Sequence, residues 1–457
     1  MNIELSRIDL PDFDVPGGDP PAIPAGQYAE RCDALLAAAG TDWMVVYGDR
    51  EHSANLLHLT GFDPRFEEAL LLLGPDSSRV LVVGNEGAIY APVAGLPLTV
   101  TIAQSLSLMG QPRTETPRLR DVLSESGITA GQSVAMVGWK YLEAEETDDP
   151  MRVAFVPAVV VSMVRSLTGA EPIDATRLLM HPSEGQRARA SAAQIAAFEW
   201  SAARVGAAVA RVVRGARPGM TEREAIALAG WQGEPLSVHP ILPSGSRGEP
   251  INGLRSASAR VLREGDGISC GIAYWGSLCC RAGLLTAGPD ETFLREAVLP
   301  YFAAQAAWYA TIGLGVAGGE VHDAVYGTLA ERGAAFRPML NPGHLVGFDE
   351  WVHSPIRPGS TDELGSGMVL QCDIIPTPLP AGTTLNCEDT VALADEALRA
   401  ELARDYPDLM ARVTARRAFM TETLGLTLAP EVLPLSFANA WLPPFWLDAR
   451  LACVVAK

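Results

Sequence analysis

The sequence has no surplus of basic residues: 54 Asp and Glu stand against 35 Lys and Arg, a formal net charge of -19. No excess of cations is available to displace counterions from a nucleic-acid backbone, so no nucleic-acid partner is expected. Long apolar runs are also missing. Residues 69–73 and 80–83 are the strongest, and both fall far below the ~20 residues that span a bilayer. The opening MNIELSRIDLPDF lacks the basic-then-apolar order of an export signal, so neither a membrane nor a secretory route is expected. Cysteine is scarce and poorly placed for cross-linking. There are seven, an odd number, with Cys279 and Cys280 adjacent and no C-x-x-C pair. A disulfide scaffold, a structural zinc knot and a dithiol redox centre are therefore not indicated, and a reducing cytoplasm fits better.

What is present is a large apolar reserve. With 457 residues, 48% of them hydrophobic, the chain can bury a sizeable core divided over two or three domains. Residues 1–23, rich in Pro, Asp and Gly, read as an extended surface arm. Helical spacing over 27–39 leads into strands at 43–47, 69–73, 79–83 and 133–138, an α/β pattern. Turn signals between 165 and 182 place a boundary near 185, giving a first domain over 1–185. An Ala-rich helix over 188–214 opens a second domain, 186–400, and Thr221 followed by Glu224 forms the sequence pattern of a capping box. Further helices are expected at 293–313, at 319–332 with His322 as a surface or capping residue, and at 394–416. Residues 401–457 form a helical and aromatic extension whose Phe437, Trp441, Phe445 and Trp446 need a surface to cover, in the same or another subunit.

Chemistry concentrates in the second domain. Residues 265–281 read as two strands around a turn, carrying Ser269, Cys270, Cys279 and Cys280. Such a hairpin can be plain core with cysteine as a small hydrophobe, or it can line a cavity. His344, Asp373 and Glu388 each follow a glycine or sit in a short apolar strand. A carboxylate turned inward from such a strand suits a metal or acid-base site, because an unpaired buried charge is expensive. His239 lies on a short edge strand before the hairpin, and His353 follows His344 closely.

These motifs, in order, resemble the creatinase, methionine aminopeptidase and proline-peptidase group. Carrying the resemblance are Asn55 to Phe62, Gly219-Met220-Thr221-Glu222, Arg263-Glu264-Gly265-Asp266, Gly343-His344 with His353, Gly367-Met368-Val369, and Glu388-Asp389-Thr390-Val391. The resemblance implies an α+β chain: a pita-bread catalytic-type domain preceded by a smaller creatinase-type α/β domain, acting as a homodimer on a small-molecule substrate. It also implies that the five ligands of a two-metal peptidase, two Asp, one His and two Glu, fall on Ser269, Cys280, His344, Asp373 and Glu388. Ser269 is neutral, which argues against two cations.

Several functions follow as expectations. The first is a creatinase-like hydrolase of a C-N bond that works without a metal on a compact, cationic or amide substrate, with His344, His353, Asp373, Glu388, Cys280 and His239 as its candidate catalytic residues. The second is a hydrolase or proton-abstracting lyase holding one divalent metal, zinc or iron, on Cys280, His344, Asp373 and Glu388. Cys280 as a nucleophile with His344 as its base is a third arrangement, and a non-catalytic binding module is the alternative to all of them.

Overall fold

The computed structural model describes residues 1–456 and divides the chain into two compact units, residues 23–188 and residues 1–22 together with those from 189 onward. The arm assigned above to the first domain thus groups with the second unit, and residues beyond 400 are part of that unit. No helix among the described residues is long and apolar enough to cross a membrane.

The 23–188 unit is built on a six-stranded sheet ordered Thr99–Ile102, Ser78–Val83, Ala69–Gly74, Trp43–Gly48, Val134–Val137, Ile173–Asp174. The central strands are apolar at every position because both faces are covered. Met44, Val46, Leu71 and Leu81 pack with Tyr28, Cys32 and Leu35 of the Ala25–Ala39 helix. Val45, Leu70, Leu72 and Val82 pack on the other side with Val122, Val160 and Val164.

In the other unit, strands run antiparallel in the order His344–Leu345, Val369–Cys372, Asn386–Leu393, Ser277–Leu284, Gly267–Tyr274, Leu236–Ile241. The expected hairpin is therefore at the middle of the sheet, with all sixteen of its strand residues buried. Its turn depends on Gly276, whose φ is +91° and whose side a Cβ could not occupy, because the Phe198 ring would lie 2.1 Å away. Phe198 belongs to the Ala192–Gly215 helix, which packs against the hairpin and starts where Ser191 accepts a hydrogen bond from the Gln194 amide. The capping box of Thr221 and Glu224 is present in full.

Two expectations are corrected here, and a third, left open between the same and another subunit, falls to the first. His322 is buried within the Gly318–Glu331 helix, stacked on Tyr326 and 2.9 Å from Asp323 Oδ1, so it is not a surface residue. The charged helix is two, Glu396–Asp405 and Pro407–Ala418, since Pro407 cannot continue the first. The aromatic tail covers its own unit: Phe437, Trp441, Phe445 and Trp446 are all buried in this chain.

Candidate active site

Strand alternation divides the middle of the sheet into two chemically different faces. Cys280 pairs with Gly271 on one side and Glu388 on the other, and Gln371 pairs with both Thr390 and His344. Ser269, Cys280, Glu388, Thr390, Gln371 and His344 therefore share one face. Arg281 and Asp389, each one residue further along, share the opposite face.

On the first face, His344, Asp373 and Glu388 come together. Each offers an atom within 4.8 Å of the other two, and all three are buried. His344 Nδ1 lies 3.2 Å from the Leu345 carbonyl, which favours a proton on Nδ1 and leaves Nε2 as the open nitrogen. No acceptor stands in hydrogen-bonding geometry to that Nε2, although Glu350 Oε1 approaches to 3.0 Å and Glu388 Oε1 to 3.8 Å. Asp373 Oδ1 is likewise buried without a hydrogen-bond partner. Glu388 is oriented by Gln371, whose amide donates to Glu388 Oε1 at 3.4 Å and to the Leu278 carbonyl at 2.8 Å. The Gln371 oxygen accepts from Thr390 Oγ1 at 2.6 Å.

Burial and mutual charge govern the protonation of this group. Burial disfavours a charged His344, but the neighbouring Glu350, aided by Glu388, overcomes it and raises the imidazole to about 10. Asp373 is held above the usual carboxylate range by burial, partly offset by His344. Burial and the charge of Asp373 hold Glu388 well above it too.

The remaining sequence candidates are placed differently. Ser269 Oγ and Cys280 Sγ lie 3.6 Å apart beside the cluster, and burial followed by the Glu388 charge pushes the Cys280 thiol well up. His353 is half-buried on the far side of a short loop, its carbonyl accepting from the Leu345 amide at 2.7 Å. His239 does not join the cluster. It is exposed on the Leu236–Ile241 strand, with Nε2 3.2 Å from the Leu254 carbonyl, because that strand lies at the sheet edge.

The opposite face supports the first. Arg281 and Asp389 form a fully buried ion pair at 2.8 Å. Arg281 also donates to the carbonyls of Glu388, Ala438 and Trp441, and Asp389 accepts from the Ala440 amide. The tail is thereby locked beneath the strand that carries Glu388. Sequence reasoning missed this pair, as well as Gln371, Asn386 and Glu350. Gln371 and Asn386 were signalled only by being polar within buried strands.

Residues 197–395 match metallopeptidase family M24. Among solved structures, the chain is similar to an Xaa-Pro dipeptidase from Bacillus anthracis at 17% identity and a TM-score of 0.62, covering 81% of this chain and 96% of that one. It is similar to an X-Pro aminopeptidase from Thermotoga maritima at 18% identity and a TM-score of 0.63, covering 80% and 95%. A prolidase from Thermococcus sibiricus matches at 15% identity and a TM-score of 0.64, covering 92% and 99%. No curated protein matches the sequence significantly. The pita-bread resemblance read from the sequence holds, and the mixed α/β architecture is that of these two-domain structures.

Proposed function

We propose that the chain is a hydrolase of a C-N bond in a small substrate and that it uses one divalent cation held by His344, Asp373 and Glu388. The observation that carries this reading is the set of three potential ligands, His344, Asp373 and Glu388, buried within 4.8 Å of one another, in which Asp373 Oδ1 has no hydrogen-bond partner. Buried polar atoms without partners are costly, and an imidazole with two carboxylates is an accepted donor set for one zinc or iron ion. A second cation does not fit. Ser269 offers only a neutral hydroxyl, and the Cys280 sulfur lies outside the three ligand atoms that converge. When bound, the cation would supply Lewis-acid polarisation of the substrate carbonyl or of a water.

The chain's own groups do the rest. Glu388, steadied by Gln371, would bind as a carboxylate, the cation taking the place of the proton that burial favours in its absence. The burial of His344, Asp373 and Glu388 excludes bulk water. The seven free, buried thiols support a reducing, cytoplasmic setting, and the resemblance supports a homodimer.

A second reading keeps the same groups and dispenses with the metal, as in creatinase. It is favoured by the His344-Glu350 contact at 3.0 Å, which gives the imidazole a counter-ion with no cation present. The carboxylates would then hold a cationic substrate.

Metal analysis of purified wild type and Asp373→Asn, combined with a turnover screen of prolyl dipeptides and guanidino, ureido and betaine-like compounds, separates these readings. The expected result is one equivalent of metal, absent from the variant, and turnover that stops on chelation and returns with the ion. Turnover that survives complete metal removal overturns the first reading in favour of the second. An elimination product in place of hydrolysis would make the chain a lyase, and no product from any class would make it a binding module.

A further inference from the structure

The 23–188 unit holds a second polar site. The loop at 61–68 joins the Ala54–Thr60 helix to the Ala69–Gly74 strand, and between this loop and the short Asn85–Tyr90 helix lies a cavity of about 260 Å3. Glu67 lines the cavity and is 2% exposed. Its Oε2 accepts from the Glu86 and Gly87 amides, at 3.1 and 2.8 Å, which fixes the carboxylate against the start of the helix. Its Oε1 is buried too, and no described residue gives it a hydrogen bond.

An unpaired oxygen on a buried carboxylate is costly, and the nearby cation is engaged elsewhere. Arg65 lines the same cavity, but its guanidinium faces Asp63 Oδ2 at 3.4 Å, lies over the Tyr90 ring at 4.5 Å and donates to the Tyr90 hydroxyl. The turn that carries it has Arg65 at φ +59°, a conformation that residues with a Cβ disfavour, and is closed by the Glu67 amide on the Pro64 carbonyl at 3.2 Å. Glu86 adds a second carboxylate, steadied by the Gln111 amide at 3.0 Å. With Arg65 balanced by Asp63, Glu67 and Glu86 leave the cavity a surplus of negative charge. Its rim is apolar and open to solvent: Ile89 is 82% exposed and Phe66 53%. A concave site with an apolar wall and a few fixed polar groups is the usual form of a small-molecule site.

We propose that this cavity binds a small primary ammonium that carries an apolar group. The ammonium donates to Glu67 Oε1 in a charge-assisted hydrogen bond, and the apolar group lies against Phe66 and Ile89. This does not rest on the reading of the His344 cluster, to which none of these residues belongs.

The test is calorimetric titration of the full-length protein with benzylammonium, with benzyl alcohol and phenylacetate as its neutral and anionic counterparts. Glu67→Gln keeps an oxygen for the two helix amides and sets an NH2 where the unpaired oxygen stands. Phe66→Ala changes only an exposed side chain and serves as the second variant. The expected result is saturable binding of benzylammonium, about tenfold weaker binding of the alcohol and none of phenylacetate. Affinity for benzylammonium should fall about tenfold or more in Glu67→Gln and about threefold in Phe66→Ala, and should be unchanged in Asp373→Asn. No saturable binding by wild type overturns the proposal, as does equal affinity for benzylammonium and benzyl alcohol. Wild-type affinity in Glu67→Gln with loss in Asp373→Asn would put the amine at the His344 cluster and also overturns it. Should Glu67→Gln fail to fold, wild-type affinity in Phe66→Ala overturns it instead.

Discussion

Cys280 shows how position and chemistry diverge at the level of a single side chain. It stands where the resemblance puts a carboxylate ligand, yet its Sγ is absent from the set of atoms that converge on His344, Asp373 and Glu388. Its thiol, buried and next to the Glu388 charge, is held far from ionisation at neutral pH. A protonated thiol is not a useful nucleophile. Cys280→Ser should therefore keep its metal and retain turnover within about threefold, because an isosteric hydroxyl changes neither charge nor volume by much. A hundredfold loss of turnover in a folded Cys280→Ser protein would restore the nucleophile assignment.

At the scale of the element, the Asn386–Leu393 strand separates two polar layers, and the lower one carries a prediction. Arg281→Met would leave Asp389 buried and unpaired, costing about 3–5 kcal/mol, while Arg281→Met with Asp389→Leu should recover much of that loss. Urea unfolding of the two variants checks this, and equal destabilisation by the single and double changes would contradict it. These layers also show what sequence can and cannot reveal. Period-two alternation and turn residues gave the hairpin, the central strands of both sheets and the capping box. Three inward residues, His344, Asp373 and Glu388, could be read because short apolar strands and known motifs surround them. Glu350 could not, since a loop imposes no period from which its direction can be inferred. The strand of His239 reads as a sheet edge from its sequence and is one, but a strand pattern does not say how far an edge side chain stands from the cluster. Arg281 reads as an ordinary cation until the register sets it opposite the strand bearing Asp389.

For the whole molecule, acid should act on the two units in opposite senses through two buried carboxylates. In the 23–188 unit, burial raises Asp174 to about 6, despite hydrogen bonds from the Thr176 amide and hydroxyl. A carboxyl whose folded value exceeds its unfolded value of 3.8 binds more protons when folded, so it favours the folded state below about 4 and loses that advantage as pH rises through 6. The difference between the two values amounts to roughly 3 kcal/mol. Glu222, in the other unit, is the reverse case. Burial would raise it, but donors from Arg255, Ser258 and Ser244 outweigh burial and lower it to about 2, so its contribution is present above about 4.5 and is lost as pH falls toward 2. Calorimetry of the full chain between pH 7 and pH 3.5 should then show the 23–188 transition gaining from Asp174, while the other unit loses part of the Glu222 contribution. Asp174→Asn should abolish the gain, raising the 23–188 transition at pH 7 relative to wild type and leaving it nearly unchanged near pH 4. An Asp174→Asn protein whose difference from wild type is the same at both pH values would show that this carboxyl does not titrate between them.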